Sequence, residues 1–454
     1  MKLNTAFICA LICLTSGCST KRAPESQDPV VSDQSERPNI IYILADDLGY
    51  GDLSCYGQTH FSTPNIDRLA AEGMRFTQHY SGATVCAPSR SSLMTGMHTG
   101  HTPIRGNKEV KPEGQYPLPD SVLTLPKLLK QVGYVTGGFG KWGLGPPGSE
   151  GAPNNQGFDE FFGYNCQRLA HNYYPRHLWQ NENKVLLTEN EGTATGAYAP
   201  ELIHEQAMLF LEDNHHQPFF LYYPAVIPHA ELVAPKPYMD RFRNKYLPEK
   251  QYQGYDQGPK YREGPYGSQP ESHAAFAAMI AHLDDRVGAL LLKLDELGIA
   301  ENTLVIFTSD NGPHLEGGAD PDYFDSNGLL RGYKRDLYEG GIRVPMIARW
   351  PGKVKAGTTS DHVSAFWDVL PTLADIAGVP VAAAIDGLSF APTLKGLPGQ
   401  LEHEYLYWEF HEKDGRRALR KGNWKLVQYQ VGIPESTTTE LFNLEDDPSE
   451  SQDL

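Results

Sequence analysis

Short apolar runs alternate with amphipathic segments along most of the chain. The run at residues 39–45 is almost continuously apolar, as is typical of a strand that is buried on both faces of a parallel sheet. Similar runs predict further strands at 134–139, 218–223 and 303–308. Amphipathic spacing predicts helices at 63–73, 125–132, 271–297 and 366–376. This alternation predicts an α/β fold class, with a large mixed, mostly parallel sheet flanked by helices.

The pattern changes near residue 400. Aromatic, strand-like runs at 405–410, around Ala418 and at 424–429 are separated by the turn dipeptides at 414–415 and 422–423. They predict a small antiparallel C-terminal subdomain over 401–454, which follows a catalytic domain over 38–400. Residues 166–200 and 230–270 are rich in Tyr, Pro, His and Asn, and we expect them to form long loops over the sheet.

The N-terminal region has the pattern of an export signal. Lys2 precedes an apolar run at 6–14 that is too short to span a bilayer. Residues 14–18 resemble a bacterial lipobox, which implies cleavage of a signal peptide at 1–18 and lipidation of Cys18. A plain secretory signal cut nearby is the alternative. With a polar tether at 19–37, we expect an exported bacterial lipoprotein in the periplasm, in the outer membrane or at the cell surface, held to the membrane only by its lipid anchor.

Composition narrows the classes of function. The 454 residues are 40 % hydrophobic and 21 % charged, as in a globular protein. A net charge of -17 argues against a nucleic-acid partner, although local basic residues can still form an anion site. Three of the six cysteines lie in the signal region, so the chain is not a disulfide scaffold, and pairing of Cys55 with Cys166 stays open.

Oxygen-bearing side chains follow two of the predicted strands. Asp46 and Asp47 come after the first strand, and Asp310 and Asn311 come after the strand at 303–308. Open α/β sheets bind ligands at the carboxyl ends of their strands, so we expect the four side chains to meet. Such ligands suit Ca²⁺ or Mg²⁺ better than zinc. Turn formation is the alternative for either pair alone, and two such pairs favour a metal site.

Residues 86–90 read Cys-Ala-Pro-Ser-Arg. Pro88 fits the first turn of a helix, which would place Cys86 at a helix N-terminus, where backbone donors favour an anion. Arg90, one turn further on, can reach the same place. The alternatives are a buried, inert cysteine and a purely structural arginine.

Three basic residues also lie beside predicted strand ends or in glycine-rich segments. Lys141 and Lys334 have glycine-rich neighbours, and His229 follows a strand and Pro228. The lysines could neutralise charge on an anionic group, and His229 could protonate a leaving oxygen. Taken singly, each is as well explained by a solvated lysine or a hydrogen-bonded loop histidine.

Together these motifs resemble the type I, formylglycine-dependent sulfatase family, which includes arylsulfatase A-like proteins and belongs to the alkaline-phosphatase-like superfamily. The resemblance extends from Pro38 to the end of the chain. It rests on six motifs in the family's order, at residues 46–52, 86–90, 95–96, 140–142, 309–312 and 338–345.

The resemblance implies a nucleophile, a metal and a sulfate pocket. Cys86 would be oxidised to formylglycine by a formylglycine-generating or an anaerobic sulfatase-maturating enzyme. One hydroxyl of the hydrated aldehyde would attack sulfur, and the other would expel sulfate. One Ca²⁺ per subunit would be held by Asp46, Asp47, Asp310, Asn311 and the modified Cys86. The residues around the sulfate would be Arg90, Lys141, His229 and Lys334. Together with the export signal, this favours a sulfated polysaccharide or oligosaccharide as substrate.

The chain departs from the family in two places. Gly143 stands where many members have a histidine that steadies the formylglycine diol. We expect His171 to take this role in substrate binding, and the glycine to widen the pocket. The chain also ends soon after the motif at 440–448, which in the family usually precedes a final helix, and this leaves a truncated C-terminal subdomain open.

Two other functions stay open. A phosphate or phosphonate ester hydrolase could use the same fold and nucleophile, and comparing aryl sulfate with aryl phosphate turnover would separate the two activities. The second alternative is an inactive lipoprotein that binds sulfated glycans. The mass of the peptide that contains residue 86 would test it, because a protein without formylglycine would be inactive.

Overall fold

The computed structural model describes residues 37–454 together with Met1. Apart from Met1, the predicted signal peptide with its lipidated Cys18 lies outside the described residues, as does all of the tether except Arg37. Among the helices of the described part, none is both long and apolar enough to cross a membrane.

Strands and helices alternate as the apolar pattern predicts. The strands are β1 (Asn39–Asp46), β2 (Met74–Tyr80), β3 (Val135–Lys141), β4 (Glu160–Tyr164), β5 (His177–Gln180), β6 (Asn183–Leu186), β7 (Phe219–Pro228), β8 (Thr303–Ser309), β9 (Arg343–Arg349), β10 (Thr358–Ser360), β11 (Ser364–Ala365), β12 (Leu406–Phe410), β13 (Arg416–Lys421), β14 (Trp424–Tyr429) and β15 (Thr438–Asn443). The α-helices are α1 (Pro64–Ala71), α2 (Cys86–Thr95), α3 (Leu125–Lys130), α4 (Ala199–Asn214), α5 (Lys236–Phe242), α6 (Ser272–Glu296), α7 (Glu339–Ile342), α8 (Val369–Ala377) and α9 (Ala391–Lys395).

The large sheet has the order β10-β2-β9-β8-β1-β7-β3-β4-β5-β6, with β11 paired to β2. At its centre, β1 runs parallel to both β7 and β8, and β3 runs parallel to β7 and β4. β9 is antiparallel to β8 and β2, and β5 and β6 add an antiparallel hairpin at one edge. The predicted mixed, mostly parallel sheet is confirmed.

Both faces of the sheet are covered, which explains why its central strands are apolar throughout. Ile41 and Ile43 of β1 belong to a core that includes α1, α4, α5 and α6. The alternate residues Ile40, Tyr42 and Leu44 belong to the opposite core, with α2, α3, α8 and α9. Because side chains alternate across a strand, a strand between two helical layers must be apolar at every position.

The predicted antiparallel C-terminal sheet is also confirmed, as the four strands β12-β13-β14-β15. Its inner face shares a core with Tyr80, Val85 and Trp367 of the larger part. A buried ion cluster joins the two parts, because Nζ of Lys425 lies 2.9 Å from carboxylate oxygens of both Glu339 and Glu450.

The two long loops predicted over the sheet are more regular than expected. Residues 166–200 contain β5, β6 and the start of α4, and residues 230–270 contain α5. These strands have only four residues each and α5 has seven, which is too short for a clear apolar period. The structure also shows Cys55 and Cys166 as free thiols.

Candidate active site

The carboxyl ends of the central parallel strands bring the predicted residues together. Ala45 pairs with Ser309, and Asp46 pairs with Pro228, so β1, β8 and β7 end side by side. Lys141 is the last residue of β3, the next strand in the sheet. The register therefore places the ends of four strands at one edge, as expected for a ligand site in an open α/β sheet.

The four predicted oxygen donors are wholly buried, and three of them are linked by hydrogen bonds. The backbone N–H of Asp47 donates to Oδ1 of Asp310 at 3.1 Å, and Nδ2 of Asn311 donates to Oδ1 of Asp47 at 2.7 Å. Asp47 has a φ of 65°, an uncommon value for a residue other than glycine. This conformation is one of the strained backbone features that cluster at functional sites.

Cys86 is the first residue of α2, as Pro88 predicted. Its Sγ lies 3.2 Å from Oδ1 of Asp46 and 3.8 Å from Oδ1 of Asp47. Burial raises the pKa of the Cys86 thiol well above its usual value, and the charges of Asp310 and Asp46 raise it further. The unmodified thiol is therefore a poor nucleophile, because only the thiolate attacks efficiently.

Arg90 lies one turn along α2 and is completely buried. Its Nε and Nη2 reach Oδ2 of Asp310 at 3.0 and 2.8 Å, and its Nη1 donates to the carbonyl oxygen of Lys141. Arg90 thus ties the cysteine helix to the ends of β8 and β3.

The two predicted lysines lie on either side of the aspartate pair. Nζ of Lys141 is 2.5 Å from Oδ2 of Asp46 and 3.4 Å from Sγ of Cys86. Nζ of Lys334 is 2.6 Å from Oδ2 of Asp47. Both ammonium groups are almost fully buried, so neither is the solvated surface lysine that was the alternative.

Three carboxylates and three cations balance one another in this centre. Burial by itself would raise the pKa of Asp46, but Lys141 and the other positive neighbours lower it well below its usual value. For Asp310, burial and the charge of Asp46 outweigh Arg90 and raise the pKa to about 6. A bound divalent cation would therefore leave the centre with a positive excess for an anionic ligand.

His229 and His171 form a stacked pair, with ring centroids 4.8 Å apart. Nδ1 of His229 lies 2.6 Å from the carbonyl oxygen of Ala230, and Nδ1 of His171 lies 2.8 Å from that of Gly264. A carbonyl oxygen only accepts, so each Nδ1 carries the hydrogen and each Nε2 is left for another partner. Nε2 of His229 faces Oδ2 of Asp47 at 3.4 Å.

The pocket is not widened at Gly143, contrary to expectation. Gly143 has a φ of 77°, and a Cβ built on it would overlap the side-chain amide of Gln167. Gln167 is 5 % exposed, and neither its Nε2 nor its Oε1 has a hydrogen-bond partner among the described residues. Gln167 therefore fills the space of the missing side chain, while the predicted role of His171 stays a prediction.

Four residues near the centre were not predicted from the sequence. They are Gln167, His314, Glu316 and Arg335. His314 stacks on His229 with 5.5 Å between ring centroids. Burial would lower the pKa of His314, but its hydrogen bond with Glu316 and the charge of Asp47 outweigh burial and raise this pKa. The glycine-rich run at 312–318, directly after β8, was the available signal for His314 and Glu316.

The donor set fits a hard divalent cation. Asp46, Asp47 and Asp310 supply carboxylate oxygens, and Asn311 supplies an amide oxygen. Oδ1 of Asn311 is buried and accepts no hydrogen bond within the described residues, which is costly unless another ligand reaches it. These side chains would hold such an ion beside residue 86.

Two family models match the chain. Residues 38–379 match the Sulfatase model, and residues 331–454 match the model described as N-sulphoglucosamine sulphohydrolase, C-terminal. The first match covers the large sheet and the helices α1 to α8, and the second includes the antiparallel sheet.

Individual relatives agree with the family models. The chain is 33 % identical to human arylsulfatase A over 92 % of its own length and 83 % of the relative's. It is 34 % identical to human N-acetylgalactosamine-6-sulfatase over 82 % of its length and 68 % of that protein. The solved structure of Ps i-CgsB in complex with k-i-k-neocarrahexaose superposes with a TM-score of 0.75 at 30 % identity, covering 92 % of this chain and 88 % of that one.

Proposed function

Because the chain belongs to the formylglycine-type sulfatase family of the alkaline-phosphatase-like superfamily and is a sulfuric ester hydrolase, we propose that it removes sulfate from a sulfated polysaccharide or oligosaccharide. Two names support this substrate class, since one relative is an N-acetylgalactosamine-6-sulfatase and one similar structure contains neocarrahexaose. The observation that carries the proposal is the position of Cys86, whose sulfur lies within 3.4 Å of both Asp46 and Lys141.

Residue 86 supplies the nucleophile after a formylglycine-generating or anaerobic sulfatase-maturating enzyme has converted its thiol. Hydration of the aldehyde gives two hydroxyls on one carbon. One hydroxyl attacks sulfur and loses its proton, which replaces the proton that a histidine gives to the departing alcohol. Asp310 then takes the proton of the second hydroxyl, and the aldehyde re-forms as the C–O bond to sulfate breaks. The raised pKa of the Cys86 thiol supports the need for this conversion, because the thiol itself would attack poorly.

The basic residues hold the sulfate group and receive its charge. Lys141 pairs with Asp46 and Lys334 pairs with Asp47, and both have ammonium groups that a sulfate oxygen can meet. Arg90 fixes the helix that presents residue 86. Cations placed before the reaction stabilise charge that develops on oxygen during bond cleavage.

His229 or His171 donates a proton to the departing alcohol oxygen. In both rings Nδ1 is committed to a backbone carbonyl, so Nε2 is the nitrogen left to donate this proton. The negative sulfate group would favour the protonated ring, opposing the burial and lysine charges that lower the pKa of His229.

The proposed ion is one Ca²⁺ per subunit. Asp46, Asp47, Asp310, Asn311 and residue 86 would hold it. When bound, calcium supplies a positive charge that polarises the sulfate group and the nucleophile. The orphaned Oδ1 of Asn311 supports this assignment.

We further propose that the protein is an exported bacterial lipoprotein of the periplasm, outer membrane or cell surface, anchored through Cys18. The lipobox-like sequence at 14–18 is the support. Metabolic labelling with a radioactive fatty acid tests this proposal, because wild-type protein should incorporate label and the Cys18→Ala variant should not. Wild-type protein that takes up no label in bacteria that label other lipoproteins would contradict the proposal.

The function is tested by measuring sulfate release. The protein should be produced with a maturating enzyme, and conversion of residue 86 should be verified by peptide mass. A panel of sulfated mono- and oligosaccharides, an aryl sulfate and an aryl phosphate then compares substrates. We expect sulfate release from at least one saccharide and a higher kcat/KM for aryl sulfate than for aryl phosphate. Converted protein that prefers the phosphate, or that releases no sulfate from any substrate, would contradict the proposal.

A further inference from the structure

The buried centre continues into three partly exposed residues: Tyr266, Glu316 and Arg335. The ring of Tyr266 lies 4.9 Å from that of His171 and 6.3 Å from that of His229. The side chains of Glu316 and Arg335 are 22 % and 30 % exposed, whereas that of His229 is 4 % exposed. These three residues, called the rim below, therefore lie between the buried centre and solvent.

Arg335 is held firmly at this rim. It follows Lys334 directly, and its Nη1 pairs with Oε1 of Glu316. Its backbone N–H donates to the carbonyl oxygen of Thr84 at 3.0 Å, and its own carbonyl accepts from Arg416. Both backbone groups and one end of the side chain are thus fixed by different parts of the chain.

The backbone of Arg335 has a φ of 80°. A bulky residue in this left-handed region is strained, and such residues are concentrated at functional sites. Glycine would remove the strain but would also remove the guanidinium. The strained conformation therefore lowers the stability of the fold, and a functional role of Arg335 would explain why an arginine stands here instead of glycine.

The guanidinium still has donors to offer. Within the described residues, Nε and Nη2 of Arg335 have no hydrogen-bond partner, and only Nη1 is used by Glu316. The adjacent carboxylate of Glu316, which also lies 3.4 Å from Nδ1 of His314, offsets charge at Arg335. The remaining N–H donors suit neutral oxygen acceptors better than a second anion, because Glu316 would repel a further negative group.

We propose that Arg335 binds a hydroxyl oxygen of the sugar ring next to the scissile sulfate, and that Glu316 positions its guanidinium. This inference rests on the proposed saccharide sulfatase activity and adds the residue that recognises the alcohol part. Arg335 is thus a specificity-determining residue, and the plane of Tyr266 forms an adjacent wall for the sugar.

The test measures kcat/KM for a sulfated saccharide and for 4-nitrophenyl sulfate, which has no ring hydroxyl. Arg335→Gln keeps the backbone strain and removes the forked donors. We expect the ratio of the saccharide value to the aryl value to fall by roughly 10-fold to 100-fold, as for loss of a hydrogen bond to a charged group. The matched control is Arg241→Gln, which removes an exposed arginine of α5 that pairs with Asp285 of α6. This variant should leave the ratio unchanged.

A deoxy substrate sharpens the test. Removing the neighbouring hydroxyl from the saccharide should weaken turnover by wild-type protein and should have little further effect in Arg335→Gln. Arg335→Lys keeps the charge and serves as a second variant if the glutamine variant unfolds, and it should show the same direction of change. Glu316→Gln should lower the same ratio by a smaller factor, since it leaves the donors present but less fixed.

Other results would overturn the inference. Equal losses for saccharide and aryl sulfate would place Arg335 on the sulfate group or in the framework. A loss confined to substrates with a second anionic group would show that Arg335 binds an anion instead of a hydroxyl. An unchanged ratio in both arginine variants would remove Arg335 from substrate recognition. If wild-type protein cleaves aryl sulfate but no saccharide, the proposed substrate class fails instead.

Discussion

Arg90 and Asp310 form a forked ion pair in the interior, with two guanidinium nitrogens 2.8 and 3.0 Å from one carboxylate oxygen. The two residues are 220 positions apart, and both are completely inaccessible to solvent. The pair joins the helix that begins with Cys86 to the strand end that carries Asp310 and Asn311. Together with the hydrogen bond from Oγ of Ser89 to the carbonyl oxygen of Asp310, this contact holds the nucleophile beside the oxygen donors.

The Arg90→Ala variant is expected to lose stability as well as activity. Asp310 and Asp46 would stay buried without their shared cation, which should cost on the order of 3 kcal/mol in the free energy of unfolding. Urea denaturation measures this change. The control is Arg68→Ala, which breaks an exposed pair with Glu72 and should cost less than about 1 kcal/mol. A loss in Arg90→Ala as small as that expected for Arg68→Ala would show that the buried pair is not important for stability.

Replacement of Cys86 is expected to abolish turnover without unfolding the protein. Cys86→Ala removes the group that would become formylglycine, and Cys86→Ser leaves only a hydroxyl that cannot re-form an aldehyde. We expect sulfate release to fall by at least about 1,000-fold in both, in line with loss of a covalent nucleophile. Ion chromatography of released sulfate measures this, and full turnover by Cys86→Ser would contradict the proposed chemistry.

Binding of a divalent ion should be detectable without any substrate. Added Ca²⁺ should raise the melting temperature of wild-type protein above that in a chelator, because a ligand that binds only the folded state stabilises it. Asn311→Ala removes an oxygen donor and should reduce the shift. Asn302→Ala, a surface residue outside the site, should keep it. An equal calcium shift in both variants would place the ion elsewhere.

The sequence was sufficient to predict the central part of the site. Asp46, Asp47, Asp310 and Asn311 follow buried strands, and parallel strands must end at the same edge of the sheet, so their meeting follows from the apolar pattern alone. Cys86 could be placed at a helix N-terminus because Pro88 restricts the first turn.

The parts that were missed depend on tertiary contacts. β9 carries Pro345 and begins and ends with arginine, so its pattern argues against a central strand, yet it lies between β8 and β2. Gln167 and Arg335 lie in irregular segments whose paths no periodicity specifies. Only the coordinates show that Gln167 meets Gly143 and that Arg335 has a left-handed backbone.

Gly143→Ala is expected to destabilise the protein through contact with Gln167. The alanine would have an unfavourable φ, and its Cβ would overlap the Gln167 amide. Together these effects should lower the free energy of unfolding by about 2 to 4 kcal/mol. Gly298→Ala isolates the backbone part, because Gly298 has a φ of 70° and open space around it. That control should cost about 1 kcal/mol.

A double-mutant cycle separates the overlap from the backbone strain. In a Gln167→Ala background, Gly143→Ala should cost no more than Gly298→Ala does, since only the strain remains. Chemical denaturation of the four proteins gives the coupling energy. A coupling energy near zero would show that Gln167 does not fill the space next to Gly143.

The buried carboxyl group of Glu450, near the end of the chain, should make the stability of the protein depend on pH. Its Oε2 accepts the backbone N–H of Glu339 at 2.6 Å, and its Oε1 lies 2.9 Å from Nζ of Lys425. Burial raises the pKa of Glu450 from 4.5 to about 7, against the pull of Lys425 and with a further contribution from Glu339. The folded protein therefore holds this proton between pH 4.5 and 7, where the unfolded chain has released it.

The free energy of unfolding should consequently fall as pH rises through that window, by on the order of 1 kcal/mol for each pKa unit of the shift. Glu339 does not produce this slope, because its pKa is lowered to about 2 and its contribution is already complete above pH 4.5. Glu450→Gln cannot ionise, so the difference in stability between about pH 5 and pH 7 should shrink in this variant. Glu445→Gln, at an exposed carboxylate of the same tail, should keep the wild-type difference. Denaturation curves at both pH values measure these differences. If the free energy of unfolding changes equally with pH in wild type and Glu450→Gln, Glu450 is ionised in the folded protein throughout this range.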